Sequence, residues 1–188
     1  MLREEVNKAL EVLKQGGLIL YPTDTIWGIG CDATNKEAIE KVYALKQRSE
    51  SKSLILLLDT DSKLQSYVRE IPDVAYDLIE YAEHPLTIIY SNAKNLAENA
   101  INEDGSIGIR ITSHAFCKEL LQRFRKPIVS TSANISGQKS PANFSEIEEE
   151  IINGVDYVVD FEQEDLSIKK PSTIMKLEPD GRFVFIRK

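Results

Sequence analysis

The chain has 188 residues, enough for about one ordinary domain with a single core, and its 42% hydrophobic and 28% charged fractions disfavour disordered, collagen-like and coiled-coil classes. Its 23 Lys and Arg against 30 Asp and Glu give a net charge of −7, which argues against a protein that coats nucleic acid through bulk electrostatics. Apolar runs such as 54–58 and 85–90 are far short of the roughly 20 residues of a membrane span, the first residues are acidic where a signal peptide is basic, and two cysteines make no disulfide framework, so a reducing, cytosolic location is expected.

In chain order, Leu2, Val6, Leu10 and Leu13 recur at helical spacing and stop at Gly16-Gly17, which predicts an amphipathic helix with a glycine end. A strand follows at 18–21. Thr34-Asn35-Lys36-Glu37 has capping-box spacing, and Ile39, Val42 and Leu45 line one face of the helix it opens, ending near Lys46. The unbroken apolar run at 53–58 predicts a strand buried on both faces, and a helix is expected over 73–82 after Pro72. Strands are expected at 86–90 and 106–111, then a helix over 114–124 leading into 127–131. Ser145-Glu146-Ile147-Glu148 offers a second capping box before an acidic helix, and 172–177 with 182–186 flank a Pro- and Gly-bearing reversal, which predicts a hairpin. Strands alternating with helices and a strand-rich finish imply an α/β class with a mixed sheet, in one domain spanning 1–188.

No Walker loop, GxGxxG, GxSxG or HExxH is present. His84 and His114 stand alone and read as surface or packed residues, and Cys31 and Cys117 as buried structural thiols. Between 146 and 165 there are nine acids and no Lys or Arg. Three clusters fall at strand ends, where α/β domains commonly hold ligands. The first, Tyr21-Pro22-Thr23-Asp24-Thr25-Ile26-Trp27-Gly28-Ile29-Gly30-Cys31-Asp32, joins a strand to a hydroxyl-rich turn and then two glycines. The second, Lys46-Gln47-Arg48 with Lys52, sets three cations between a helix end and a buried strand, where they can face one polyanion. The third, Ser130-Thr131-Ser132-Ala133-Asn134-Ile135-Ser136-Gly137 with Ser140 beyond, has small side chains that leave backbone N–H groups accessible to an anion.

Together these clusters, with the Arg-bearing strand 106–110, resemble the YrdC-like family of L-threonylcarbamoyladenylate synthases over nearly the whole chain. The resemblance implies a twisted mixed sheet with flanking helices around a large concave basic cavity. It implies L-threonine, bicarbonate and ATP as substrates, with Mg2+ arriving on ATP and no metal site supplied by the protein. Carboxylated threonine would attack the α-phosphate and release pyrophosphate. Thr25, Arg110, Ser130 and Ser172 would hold threonine. Arg48, Lys52, Ser106, Ser132, Asn134, Ser140 and Arg187 match the ATP-side positions, and Lys46 and Arg48 would carry the catalytic charge, serving the reaction more than the fold. Partner proteins of tRNA modification would take the product, with weak or no direct tRNA binding and no membrane. Ser49 stands where the family commonly has Pro, and Glu83-His84-Pro85 replaces its Pro-Gly-Pro before Leu86-Thr87, so Thr87 is left without a role. The alternatives are an RNA-binding module of the same fold, disfavoured by the acidic charge, and a carbamoyl-transfer domain, which occurs in much longer chains.

Overall fold

The computed structural model describes residues 1–47 and 53–188. Helix α1 (Leu2–Lys14) buries Val6, Ala9, Leu10 and Leu13 along one stripe. It ends as the two glycines require: Gly16 takes φ +73°, its N–H meets the Leu13 carbonyl at 3.0 Å, and the Gly17 N–H meets that of Val12 at 2.9 Å. Strand β1 (Ile19–Tyr21) follows and reverses through residues 22–27 into β2 (Gly28–Gly30), with Tyr21 opposite Gly28 and Ile19 opposite Gly30. Gly30 has no room for a side chain, because a Cβ there would lie 2.6 Å from the Tyr21 ring and 2.9 Å from the Val129 carbonyl.

Helix α2 (Lys36–Leu45) is capped by Asn35, whose side chain accepts from the Ala38 N–H at 3.1 Å. This corrects the capping box expected at Thr34 and Glu37: the Asp32 carboxylate takes both the Thr34 N–H and its hydroxyl, at 2.8 and 2.6 Å, and leaves the cap to the next residue. Strand β3 (Ile55–Leu58), short helices α3 (Leu64–Tyr67) and α4 (Val74–Glu80), and strands β4 (Leu86–Tyr90) and β5 (Ile107–Ile111) follow. Helix α5 (Ala115–Phe124) leads into β6 (Ile128–Val129) and β7 (Thr131–Ser132). The second expected capping box is also corrected. Ser145 lies in a 3-10 turn (Phe144–Glu146) with its hydroxyl given to Asn143 at 2.7 Å, and α6 (Glu149–Gly154) begins after Glu148 without a side-chain cap. Strand β8 (Tyr157–Val158) precedes the hairpin of β9 (Thr173–Leu177) and β10 (Phe183–Arg187).

The α/β class with flanking helices is as expected, but the strands divide between two mixed sheets. One runs β7-β2-β1-β8 and the other β10-β9-β4-β5-β3-β6. Alternation along the short strands joins the layers. Ile19, Tyr21 and Leu57 enter one core with Phe116, Leu120 and Leu121 of α5 and the stripe of α1. Leu20, Ile29, Leu56 and Leu58 enter a larger core with α2 and the inner faces of β4, β5 and β9. Strand β3 is thus packed on both faces, as its unbroken apolar run predicts. The chain passes from one sheet to the other between β6 and β7, and Ser130 is the residue at the step.

Candidate functional site

A cavity of about 250 Å³ lies where the two sheets meet. The wide sheet supplies Thr87 of β4, Gly108 and Arg110 of β5, Ile174 of β9 and Arg187 of β10, while the other sheet and its loops supply Thr25, Trp27, Gly28 and Ser132. Thr87 and Arg110 are register partners across β4 and β5, so one sheet face presents a hydroxyl beside a guanidinium.

The turn after β1 is organised by buried Thr23. Its hydroxyl donates to the Ile26 carbonyl at 2.8 Å and accepts from the Thr25 N–H at 3.0 Å. With its one proton committed, Thr23 accepts from the Thr25 hydroxyl, 3.0 Å away, which leaves the Thr25 oxygen as an acceptor on the cavity wall. Helix α5 steadies this turn from behind, since the Cys117 thiol donates to the Pro22 carbonyl at 3.3 Å and burial pushes that thiol well above its ordinary value. Cys31 is equally buried, so both cysteines are structural, as expected.

Arg110 is 3% exposed, and its Nε lies 3.2 Å from the Asp24 carboxylate. Among the described residues, its Nε and Nη2 nonetheless have no hydrogen-bond partner, nor has Asp24 Oδ1. Arg187 donates through Nε and Nη2 to the Ser172 carbonyl, at 3.0 and 2.8 Å, and burial together with the nearby Arg110 lowers its pKa. Among the described residues, two guanidiniums thus face the cavity beside the Asp24 carboxylate. The Ser172 hydroxyl meets that of Thr87 at 2.8 Å, both fully inside. At the step between sheets, the Ser130 N–H donates to the Ile55 carbonyl at 2.7 Å, and its side chain closes the wall beside Gly28.

Of the residues expected from sequence, Thr25, Arg110, Ser130, Ser132, Ser140, Ser172 and Arg187 line this cavity. Arg48 and Lys52 lie outside the described residues; Ser53, next in the chain, is on the wall. Three others sit elsewhere. Lys46 is 2% exposed, and its ammonium donates to the Asn134 carbonyl at 2.6 Å and to that of Ser132, while the Ser136 N–H returns to the Lys46 carbonyl at 2.9 Å. It therefore sews the loop after β7 to the end of α2, so the charge expected to serve the reaction is also part of the fold. Asn134 turns its amide inward to the Ile135 and Gln138 carbonyls, both at 2.9 Å, and braces the same loop. Ser106 precedes β5 and gives its hydroxyl to Asp104 at 2.5 Å, off the cavity wall.

Thr87, Trp27 and Asp24 are on or beside the wall without having been assigned a role. The departures at Glu83-His84-Pro85 leave Thr87 without a role by resemblance, yet its place in β4 depends on strand register, which those residues do not disturb. Behind the wall, His114 Nε2 lies 3.1 Å from Glu162, and Lys169 lies 3.4 Å from the same carboxylate. This clasp holds the segment that leads to Pro171 and Ser172 against the start of α5. His84 is exposed beside α4, and among the described residues no group of three His, Cys, Asp or Glu could hold a metal ion. Nor, among them, is any helix long and apolar enough to cross a membrane.

A model of the Sua5/YciO/YrdC family, described as telomere recombination, matches residues 11–188. Threonylcarbamoyl-AMP synthase of Pseudoalteromonas translucida is 38% identical over 158 residues, which cover 82% of this chain and 84% of that protein. The enzyme of the same name from Psychromonas ingrahamii is 34% identical over 148 residues, 77% and 78% of the two chains. A solved structure of P. abyssi Sua5 complexed with L-threonine superposes with a TM-score of 0.85 at 23% identity, over 97% of this chain. This chain spans 53% of that one, about half its length.

Proposed function

The chain belongs to the Sua5/YciO/YrdC family, and from that premise we propose that it makes threonylcarbamoyl-AMP from L-threonine, bicarbonate and MgATP, with release of pyrophosphate. The observation that carries this reading is the Arg110 guanidinium, buried at the cavity wall with Nη2 unpartnered. An unpaired buried donor of this kind costs about 1–3 kcal/mol, and an amino-acid carboxylate is the planar anion that relieves it. The relatives named for this activity and the threonine complex of Sua5 lend the same reading support.

On this reading the threonine carboxylate lies on Arg110, and Thr25, Thr87, Ser130 and Ser172 surround its ammonium and hydroxyl. The amine adds the carbon of bicarbonate with loss of water, and a carbamate oxygen then forms a bond to the α-phosphorus as the bond to pyrophosphate breaks. No covalent enzyme intermediate is needed; positioning and charge neutralisation do the work. Arg187, Ser132 and Ser140 take the phosphate side, joined by Arg48 and Lys52. The wall offers hydroxyls and guanidiniums rather than a set of carboxylates, a donor set suited to Mg2+ that arrives already held by triphosphate oxygens and water. The product passes to partner proteins that modify tRNA, in a cytosolic setting, with weak or no direct hold on tRNA.

The test is an assay with L-threonine, bicarbonate and MgATP. Threonine-dependent pyrophosphate release, with threonylcarbamoyl-AMP detected by mass spectrometry, is the expected result. Release that ignores threonine, or tRNA binding that resists salt without any ATP affinity, would overturn the reading.

A further inference from the structure

A second hollow lies on the opposite face of the wide sheet from Arg110. It is an open groove between α4 and strands β4 and β9, floored by Leu86, Thr173 and Met175 and walled by Val74, Leu78 and Tyr81, with Asp77 and Glu83 at its sides. Beside it runs β10, the outermost strand of its sheet. Phe183, Val184, Phe185 and Ile186 are 44–62% exposed, and Tyr81 is 76% exposed. Large apolar side chains in sequence on an unpaired edge are what single soluble chains avoid. Strand register puts Phe185 opposite Met175 and Phe183 opposite Leu177, so the two phenylalanines share the groove's side of the sheet. Bases bracket the apolar run, Arg182 before it, its Nε 2.7 Å from the exposed Asp180 carboxylate, and Arg187 and Lys188 after it, with the Lys188 ammonium 5.0 Å from the Phe185 ring.

One corner therefore carries an apolar strand ended by bases and, next to it, an apolar groove edged by acids. We propose that this corner is the interface of a homodimer, in which the 183–186 strand of each copy lies in the α4 groove of the other across a two-fold axis. A second copy is the occupant this pattern fits because it is self-complementary: a two-fold axis brings both halves into register at once, each strand's bases on the other copy's acids. A partner that was only acidic or only basic would match half of the surface and be repelled by the rest. Arg187 aside, none of the residues involved lines the cavity of the proposed reaction, so the dimer stands apart from that reading.

The experiment is a charge swap on the full chain, followed by sedimentation velocity. One variant, Asp77→Lys with Glu83→Lys, makes groove and strand both basic; the other, Arg182→Glu with Lys188→Glu, makes both acidic. All four positions are exposed, so folding is retained, and thermal melting checks this. Wild type should dimerise, each variant alone should dissociate with a dimer Kd raised at least about tenfold, and an equimolar mixture should recover dimers containing one of each. Phe185→Asp should be monomeric in the same measurement. A wild type that stays monomeric at about 0.5 mM would overturn the proposal, as would a dimer that neither variant weakens, or a mixture that fails to re-form it.

Discussion

Arg110 and Arg187 both carry guanidiniums to one cavity, yet they are tied differently. Arg187 spends two N–H groups on the Ser172 carbonyl, whereas Arg110 keeps Nη2 unpartnered beside Asp24. Arg110→Lys keeps the charge but loses the planar fork, and is expected to raise the threonine KM about 10- to 100-fold, from the roughly 1.5–3 kcal/mol of a charged hydrogen bond. MgATP binding, read by the fluorescence of Trp27, the only tryptophan and a wall residue, should change far less; equal losses for both ligands would contradict the assignment. The Thr25 hydroxyl oxygen, left as an acceptor on the cavity wall, implies that valine is nearly inert in pyrophosphate release, because an apolar side chain leaves that acceptor unpaired. Lys46→Ala should lower turnover and the thermal midpoint together, since its buried ammonium holds the Ser132 and Asn134 carbonyls; loss of turnover with an unchanged midpoint would restore a purely chemical role. Residue types in sequence announce the cluster of Lys46, Ser132 and Asn134, but not that the lysine turns toward carbonyls, because orientation depends on partners 86 and 88 positions away.

The segment between β8 and β9 behaves as one clasped unit. Glu162 holds a left-handed φ of +59°, uncommon for a residue with a side chain, and receives His114 and Lys169 from two directions. The same segment ends at Pro171 and Ser172 on the cavity wall. Glu162→Ala is expected to raise the threonine KM by about fivefold, the worth of about 1 kcal/mol in positioning, with little effect on thermal stability. Kinetics indistinguishable from wild type would show that Ser172 is held without the clasp. Helices with long stripes, such as α1 and α5, and apolar strands such as β3 were legible from periodicity. Strands β2, β6, β7 and β8, of two or three residues, complete fewer than two alternations and leave no periodic trace, which is why the division into two sheets was not. The two capping boxes failed for a local reason: Asp32 and Asn143, each two residues upstream, take the hydroxyls of Thr34 and Ser145 in short side-chain turns that compete with capping.

Across the fold as a unit, Glu5 ties the first helix to the far end of the small sheet. Its carboxylate is buried and accepts from Lys8 at 2.8 Å, from the Asp160 N–H at 2.7 Å and from the Tyr157 hydroxyl. Burial acts upward on its pKa, but these hydrogen bonds outweigh it and hold the group below the ordinary value of 4.5. A depressed carboxylate contributes stability above its unfolded pKa and loses it as pH falls through the folded one. Glu5→Gln should therefore destabilise by about 1–3 kcal/mol at neutral pH, and the difference from wild type should shrink below pH 4.5; a gap that stays constant into acid would exclude the linkage. Gly30→Ala should cost a similar amount, about 1–3 kcal/mol, through the Tyr21 ring and the Val129 carbonyl that a Cβ would meet, read as a lowered denaturation midpoint.

The step at Ser130 has a further consequence. The two sheets are laced together where the chain after β2 meets β6, the Val129 N–H on the Cys31 carbonyl at 2.9 Å and the Ala33 N–H on the Pro127 carbonyl at 3.1 Å, and both reach the same cavity. A bound substrate would act as a second rivet between the two panels, at the cavity end, away from the seam beside β6. Amide deuterium uptake should slow in β2 of one panel and β5 of the other in parallel as threonine is titrated, with the same half-saturation, because a rivet that stiffens one side must stiffen the other. Protection confined to β5 would mean that threonine rests on the wide sheet alone.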